Sequence, residues 1–486
     1  MFASNKITYN NNTECVKFGI LSLEVGKTEI TRKPQEINIM LDESGSMNDC
    51  GEEDEICKEL KSKMDLTKHV IKNILEFVLN ECKDANIKIG VHSFNNYVRQ
   101  IFEQTKITQE NVKMLIKMVQ NICATDGTNI EKALLTLQSI TSGCEFCEKT
   151  NIIMSDGDAN VGIRKPKELA KLVDSSATNY FVGFGLQHNP KMFEALSACE
   201  NSSYYFVDKM EKSGFIYGEI MYNILYNKYN SVKLEIMNPN GQTFLYDYVN
   251  NDWKTQIYIG KMSGEMKKLV HIKTNAMETV QIKATGYDAE TDEKVEQIIM
   301  WDGNVADLTK YIYRQRTLEL IHRAKIVDRR RLPNKPYEDD EEDVEKMRDE
   351  LKSFMAEMKD FMMSHDCLED KLMMSLCDDI VVIYRTIGTD YGLMYSCSRQ
   401  HSQGAQRLNA NCDTPVRLTN HCNVAIDSRN CYSTIYSFTP KDEIEMMMDN
   451  HTMGQMEHTE TQSRLLNVLS KTDDDEGNEG AIIGQP

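Results

Sequence analysis

Strand-like and helix-like segments alternate between residues 36 and 227, and this alternation most constrains what the chain can fold into. A short apolar run from Ile37 to Leu41 is followed by apolar residues at helical spacing from Leu66 to Val78. Further strand-like runs extend from Asn151 to Met154 and from Tyr180 to Phe184. Strands connected through helices form a mainly parallel sheet covered on both faces. The pattern predicts an α/β doubly wound, Rossmann-like domain whose ligands lie at the carboxyl ends of its strands.

The pattern changes on both sides of this α/β segment. Residues 228–304 contain short strand-like segments separated by Gly and Asn turns, which favours an antiparallel β-sandwich. Residues 1–35 are strand-like from Val16 to Ile30 and are expected to join that sandwich, so that the α/β domain, residues 36–227, is inserted into it. Residues 305–390 are predicted to form a helical region. The polar residues 391–486 are predicted to lack regular structure.

Charge and cysteine content narrow the function classes. The chain has 56 Lys and Arg against 75 Asp and Glu, a formal net charge of −19. This excess repels phosphates and anionic lipids, so we expect neither nucleic-acid nor membrane binding. The first 12 residues lack the apolar segment of a secretory signal, and the 14 cysteines are then best interpreted as reduced thiols. The expected location is therefore intracellular, in the cytoplasm.

Three polar segments are predicted to meet at one edge of the α/β sheet. Asp42-Glu43-Ser44-Gly45-Ser46 directly follows the first strand, Thr125 to Asn129 precedes a helix, and Ser155-Asp156-Gly157 closes a later strand. The first segment offers one carboxylate and two hydroxyls at alternate positions, and hard cations such as Mg²⁺ prefer oxygen ligands. Alone it is weak evidence, because Asp and Ser also form ordinary turns. The two further segments at the same edge strengthen it.

These motifs, in this order, make residues 36–227 resemble the von Willebrand factor A (VWA) family and its metal-ion-dependent adhesion site (MIDAS). The resemblance implies that a set of side chains holds Mg²⁺ or Mn²⁺, the last two directly or through water: Asp42, Ser44, Ser46, Thr128 and Asp156. It also implies a partner-binding surface near the metal that includes Glu43, Asp126, Gly127 and Gly157. In the family, such a domain is an adhesive or assembly module and not a catalyst, and a partner's Asp or Glu can fill the remaining coordination position.

Signals for other chemistry are weak. No phosphate-binding glycine loop, H-E-x-x-H motif or nucleophile–base pair is visible, so the chain is not predicted to be an enzyme. Cys144 and Cys147 form the only C-x-x-C pair, whereas a structural zinc site needs four ligands. Further cysteines and a histidine follow at spacings that match no zinc pattern: Cys412, His421, Cys422 and Cys431. Free thiols are favoured, and a zinc role stays open.

The sequence therefore predicts an intracellular protein-interaction module whose metal site is completed by an acidic residue of the partner. Two alternatives stay open. Beyond residue 227 the chain has a weaker likeness to intracellular eukaryotic proteins with a VWA domain, a sandwich and a helical tail, which suggests a non-catalytic accessory subunit of a ubiquitin-ligase-like or ATPase assembly. The other alternative is a structural VWA scaffold whose metal site is dormant.

Overall fold

The computed structural model describes most of the first 406 residues. The described ranges are 1–12, 16–31, 33–49, 62–83, 85–140, 147–185, 188–207, 213–237, 242–330, 338–389 and 391–406. Cys144, the four C-terminal zinc candidates and the predicted tail beyond residue 406 lie outside these ranges. Among the described helices, none combines the length and the apolar character needed to cross a membrane.

Sixteen strands and ten α-helices are numbered in chain order within the described ranges. The strands up to the end of the α/β domain are β1 (Ser4–Asn10), β2 (Lys17–Glu24), β3 (Gln35–Asp42), β4 (Ile87–Phe94), β5 (Val98–Lys106), β6 (Glu148–Ser155), β7 (Thr178–Phe184) and β8 (Ser202–Val207). The later strands are β9 (Asn227–Ile236), β10 (Thr243–Asp247), β11 (Asp252–Lys254), β12 (Gln256–Ser263), β13 (Lys267–Thr274), β14 (Gln281–Asp288), β15 (Lys294–Met300) and β16 (Val305–Ala306). The helices are α1 (Lys63–Glu81), α2 (Val112–Gln120), α3 (Ile130–Ser139), α4 (Pro166–Leu169), α5 (Pro190–Ser197), α6 (Ser213–Leu225), α7 (Thr309–Arg330), α8 (Glu338–Ser364), α9 (Lys371–Thr386) and α10 (Gly392–Ala405).

The α/β domain contains a six-stranded sheet in the order β5–β4–β3–β6–β7–β8. All neighbours are parallel except β4 and β5, which form an antiparallel edge. Every residue of β3 is buried, because successive side chains enter the two cores on opposite faces: Ile39 packs with α1, α2 and α6, and Met40 packs with α3 and α5. Burial on both faces explains the continuous apolar run of this strand.

Two further sheets form the sandwich. One has the order β11–β10–β13–β2–β1–β16 and the other β12–β9–β14–β15. Their inner faces share one apolar core, which includes Ile7, Leu21, Leu234 and Ile282. Strand β2 pairs with β1 on one side and with β13 on the other, so strands from before and after the α/β domain lie in one sheet. The exact domain limits stay predictions.

Helices α7 to α10 pack on the α/β domain and on one another, and they share a core with α3 and α5. The final helix, α10, lies within the segment that we predicted to lack regular structure, so that prediction is wrong for these residues. Its sequence is polar, but the helix is largely buried, and several of its polar side chains bond to neighbouring elements. Arg399 donates to Asp378 and Asp379 of α9, and Gln400 donates to the Tyr248 carbonyl oxygen.

Candidate metal site

The fold brings the three predicted polar segments together at the carboxyl edge of the α/β sheet. Asp42 is the last residue of β3, and Asp156 directly follows β6, the neighbouring parallel strand. A short 3-10 helix, Gly45–Asn48, follows Asp42 and carries Ser46. Thr128 lies just before α3, whose first turn is capped by the Asn129 side chain accepting from the Lys132 backbone N–H at 3.1 Å. Adjacent parallel strands therefore place the two aspartates side by side.

The Asp42 carboxylate is fully buried and held by neutral donors. Its Oδ1 accepts from the Ser44 backbone N–H at 2.8 Å, and its Oδ2 accepts from the Ser155 hydroxyl. Burial raises the pKa of Asp42 to about 7, the hydrogen bonds from Ser155 and Ser44 oppose that rise, and the nearby charge of Asp156 adds to it. A cation at this position would favour the ionised carboxylate.

Hydroxyl and carboxylate oxygens next to Asp42 have the spacing of ligands around a small divalent ion. Ser44 Oγ lies 3.1 Å from Ser46 Oγ, and Ser46 Oγ lies 2.8 Å from Asp156 Oδ1. Neighbouring oxygens in an octahedron with metal–oxygen distances of 2.0–2.1 Å are about 3 Å apart. The two contacts are hydrogen bonds in this structure, and the same oxygens suit a hard divalent cation in chemistry and are close enough to share one.

Gly157 keeps the space between Thr128 and Asp42 open. A Cβ atom at Gly157 would lie 3.1 Å from Thr128 Oγ1 and 3.8 Å from Asp42 Oδ2, so both oxygens border the same small volume. The Thr128 backbone N–H donates to Asn160 Oδ1 at 2.8 Å. At Gly127, a Cβ would meet that same Asn160 oxygen at 2.7 Å, which explains why the chain needs glycine there.

A lysine that the sequence analysis missed contacts this site. Lys63 Nζ lies 2.6 Å from Asp156 Oδ2, and both side chains are almost completely buried. Asp156 therefore accepts from Ser46 through Oδ1 and from Lys63 through Oδ2. No sequence signal points to this lysine, because residues 50–61 separate it from the Asp42 motif. Ser155 was inside a recognised motif, but its bond to Asp42 was not predicted.

The predicted partner-binding residues have two different environments. Asp126 is exposed with a left-handed φ of 65°, Gly127 and Gly157 are half-buried, and the three lie at the rim. Glu43 is buried, and its Oε2 lies 2.6 Å from an amino nitrogen of Arg99, which is half-exposed. While this ion pair holds, Arg99 and not Glu43 presents its charge at the surface.

An exposed aromatic residue lies next to the rim. Tyr97, in the turn between β4 and β5, is 69% exposed, and Lys132 Nζ is 4.7 Å from its ring centroid. The same turn contacts the Thr128 loop, since the Asn129 backbone N–H donates to the Asn95 carbonyl oxygen at 2.9 Å. Sequence reasoning did not identify this aromatic and basic part of the rim.

Across the part of the chain that the structure describes, no group of three or more His, Cys, Asp and Glu side chains is placed to hold a metal ion. The candidate site is different in kind, because it has two carboxylates and takes its other oxygens from hydroxyls. It would suit Mg²⁺ or Mn²⁺ better than a metal that prefers sulfur or imidazole ligands.

No family model and no curated protein matches the chain. Among solved structures, a von Willebrand factor type A protein from Catenulispora acidiphila matches at 13% identity with a TM-score of 0.47, covering 67% of this chain and 81% of that chain. The ArnB paralog VWA2 from Sulfolobus acidocaldarius matches at 12% identity with a TM-score of 0.49, covering 82% and 98% respectively. Proximal thread matrix protein 1 from the mussel byssus, with a zinc-occupied MIDAS motif, matches at 20% identity with a TM-score of 0.30, covering 38% and 46%.

At these identities and TM-scores the similarities carry no argument about this chain, and the zinc belongs to the mussel protein. The sheet of the α/β domain is parallel with one antiparallel edge strand and has helices on both faces. The domain is attached to a mainly antiparallel sandwich and to C-terminal helices. The strand order and the helices therefore confirm the predicted doubly wound α/β fold with a β-sandwich and a helical region.

Proposed function

We propose that this chain is a protein-interaction module that captures a carboxylate of its partner through Mg²⁺ or Mn²⁺. The protein ligands in this proposal are Asp42, Ser44, Ser46, Thr128 and Asp156. One observation carries it: Ser44, Ser46 and Asp156 offer oxygens 3.1 and 2.8 Å apart, next to the buried carboxylate of Asp42. The fold supports an interaction module in general, and the metal and the acidic partner are the finer part of the proposal.

The bound cation would supply a positive charge that attracts a partner's Asp or Glu. The residues of the chain hold the ligand oxygens in place: Ser155 and the Ser44 backbone orient Asp42, and Asn160 anchors the Thr128 loop. At the rim, Lys132 adds positive charge, the Arg99–Glu43 pair presents its guanidinium outward, and Tyr97 adds apolar area. A partner with an acidic residue beside an apolar one fits this surface best.

In this proposal the chain has no catalytic activity of its own and acts in the cytoplasm. Its net charge of −19 supports a partner that is neither nucleic acid nor an anionic membrane. The role as an accessory subunit of a ubiquitin-ligase-like or ATPase assembly stays a prediction, which stable association with such an assembly would support.

A structural scaffold with a dormant metal site is the second candidate function, and one contact favours it. Lys63 already neutralises Asp156 with an ammonium group 2.6 Å away. A chain with its own cation in this position would have less need of a metal ion. The two candidates differ in whether a divalent ion stabilises the protein.

Metal binding can be tested by thermal unfolding of the full chain in EDTA, Mg²⁺ and Mn²⁺, with Asp42→Asn as the test variant and Asp126→Asn as the control. Both substitutions remove one charge at nearly constant shape, and Asn tolerates the left-handed backbone of residue 126. A ligand that binds only the native state at a hundredfold excess over Kd stabilises it by about 2.7 kcal/mol. We expect wild type and Asp126→Asn to gain stability and Asp42→Asn to gain none.

Partner capture is then compared in Mg²⁺ and in EDTA with wild type, Asp42→Asn and Asp360→Asn, which removes an exposed charge on α8. Loss of a captured protein in EDTA and with Asp42→Asn, but not with Asp360→Asn, supports the proposal. Equal metal responses of wild type and Asp42→Asn would contradict it, and no response in either would favour the dormant scaffold.

A further inference from the structure

The ammonium group of Lys63 occupies an electrostatically unfavourable place in the fold. Lys63 is the first residue of α1, where the aligned backbone dipoles make a cation unfavourable and an anion favourable. The neighbouring residues follow the usual rule: Ser62 caps the helix, and Asp65 in the first turn accepts from the Ser62 backbone N–H at 3.2 Å. Lys63 does not follow this rule, because it places a cation in the first turn.

Burial makes this position more costly still. The side chain of Lys63 is only 11% exposed and that of Asp156 is fully buried. Removing two charges from water costs several kcal/mol per ion, and their attraction compensates only when the geometry is good. The ion pair meets that condition at 2.6 Å, and the other oxygen of Asp156 is bonded to Ser46. Asp156 is thus the partner that makes the buried lysine tolerable.

We propose that Lys63 is a built-in cation of the metal site, which weakens divalent-metal binding and makes the loaded site more attractive to an anion. This inference rests on the proposed function and assigns a role to a residue outside the ligand set. The ammonium acts through Asp156, so Lys63 is a positioning and charge-setting residue and not a metal ligand.

A count of the buried charges shows the consequence. Asp42 and Asp156 contribute two negative charges, Lys63 contributes one positive charge, and Glu43 is neutralised by Arg99. With both aspartates ionised, these described side chains carry one net negative charge, and a bound divalent ion would leave the site with one net positive charge. Without Lys63, the loaded site would be neutral. A partner's carboxylate would therefore meet a net positive site when Lys63 is present and a neutral site when it is absent, and the positive site attracts it more strongly.

Calorimetric titration of the full chain with MgCl₂ and MnCl₂ tests this proposal. Lys63→Met removes the charge and keeps an apolar stem, Lys63→Arg keeps the charge, and Lys113→Met removes one exposed lysine charge on α2. We expect Lys63→Met to bind Mg²⁺ about tenfold or more tightly than wild type, because a repulsive charge beside a divalent ion has gone. Lys63→Arg and Lys113→Met should stay within about threefold of wild type.

Stability in EDTA provides a second readout that separates charge from packing. Without the lysine, the buried Asp156 carboxylate loses its ion pair, so Lys63→Met should unfold at a lower temperature than wild type in EDTA. Mg²⁺ should then raise its unfolding temperature more than it raises that of wild type. A merely structural role predicts the same loss of stability with and without metal.

The outcomes distinguish this proposal from the function on which it rests. If wild type and Lys63→Met bind Mg²⁺ equally, the role of Lys63 is overturned and the metal-dependent function is untouched. If only Lys63→Met binds, Lys63 is the built-in cation in its strongest form, and the native chain is the dormant scaffold. If neither binds Mg²⁺ or Mn²⁺, both proposals are overturned.

Discussion

Asp42 and Asp156 carry the same chemical group in very different surroundings. Asp42 accepts only from a backbone N–H and a serine hydroxyl, and its pKa is raised to about 7, chiefly by burial. Asp156 is paired with the ammonium of Lys63. Of the two, Asp42 is the carboxylate whose charge the protein compensates least, and it should gain most from a bound cation.

The hydroxyl of Ser155 should matter for metal binding although it is not a proposed ligand. It donates to Asp42 Oδ2, which both orients the carboxylate and favours its ionised form. Loss of such a supporting hydrogen bond typically costs about 10–100-fold in metal affinity. We expect Ser155→Ala to weaken Mg²⁺ binding by about tenfold or more in a calorimetric titration. Ser139→Ala, which removes an exposed hydroxyl on α3, is the control, and equal affinities of the two variants would refute this role.

His188 predicts how stability responds to acid. Burial lowers its pKa from 6.5 to about 4, and its ring nitrogens contact the Gly185 carbonyl oxygen and the Tyr204 hydroxyl. As the pH falls from 6.5 towards 4, the unfolded chain gains a proton at this residue that the folded chain does not, so folded stability decreases. The full effect of this shift is about 3 kcal/mol.

In His188→Gln this contribution to the pH dependence should disappear. Urea unfolding at several pH values should show the stability gap between wild type and His188→Gln narrowing as the pH falls through this range. His365→Gln, which removes a histidine at an exposed position, is measured beside it as the control substitution. Parallel curves for wild type and His188→Gln would show that another group controls the acid response.

At the scale of elements, α10 depends on one buried arginine. Arg399 donates to Asp378 Oδ2 at 2.9 Å and to Asp379 Oδ1 at 3.0 Å, and all three side chains are almost fully buried. Removing one member of a buried ionic group leaves uncompensated charge and typically costs about 3–5 kcal/mol. An exposed ion pair such as Arg323 with Glu350 is worth about 1 kcal/mol or less.

We therefore expect Arg399→Met to lower the urea midpoint of unfolding far more than Arg323→Met. Both variants lose one arginine that pairs with a neighbouring helix. Arg399 pairs with two buried carboxylates and Arg323 with one exposed carboxylate, so the variants differ in burial and in the number of partners. Circular dichroism in a urea series measures the two midpoints. Similar midpoints for the two variants would mean that α10 is held mainly by its apolar contacts.

The elements also show which parts of the structure could be predicted from sequence. Strands β3, β6 and β7 are buried on both faces, so their apolar runs were visible. Helix α10 was not predicted, because its polar composition does not show that buried carboxylates of α9 pair with it. Short strands such as β11 and β16 carry exposed or half-buried residues and leave little apolar pattern.

The same distinction applies to the candidate site. Its proposed ligands are local in sequence, on loops whose positions follow from the strands before them, and the motifs were enough to bring them together. The contacts of Lys63 with Asp156 and of Arg99 with Glu43 join residues 93 and 56 positions apart. Such contacts form only when the folded sheet brings distant side chains together at its carboxyl edge. The spacing of residues along the sequence does not predict them.

At the scale of the whole molecule, the polypeptide connects the α/β domain to the sandwich twice, before β3 and after α6, and the two connections lie side by side. The Thr31 backbone N–H donates to the Leu225 carbonyl oxygen at 2.8 Å, and the Gly264 N–H donates to the Tyr226 carbonyl oxygen at 2.8 Å. Both connections leave the α/β domain near the amino end of β3, whereas Asp42 lies at its carboxyl end.

This arrangement has a mechanical consequence. Force on a partner bound at Asp42 would be transmitted along β3. It would leave the α/β domain through two adjacent chain connections instead of one. Two connections share the tension and resist rotation of the α/β domain, so the metal site would keep its orientation relative to the sandwich under load. An anchoring element in a stressed assembly needs this property more than a soluble carrier does.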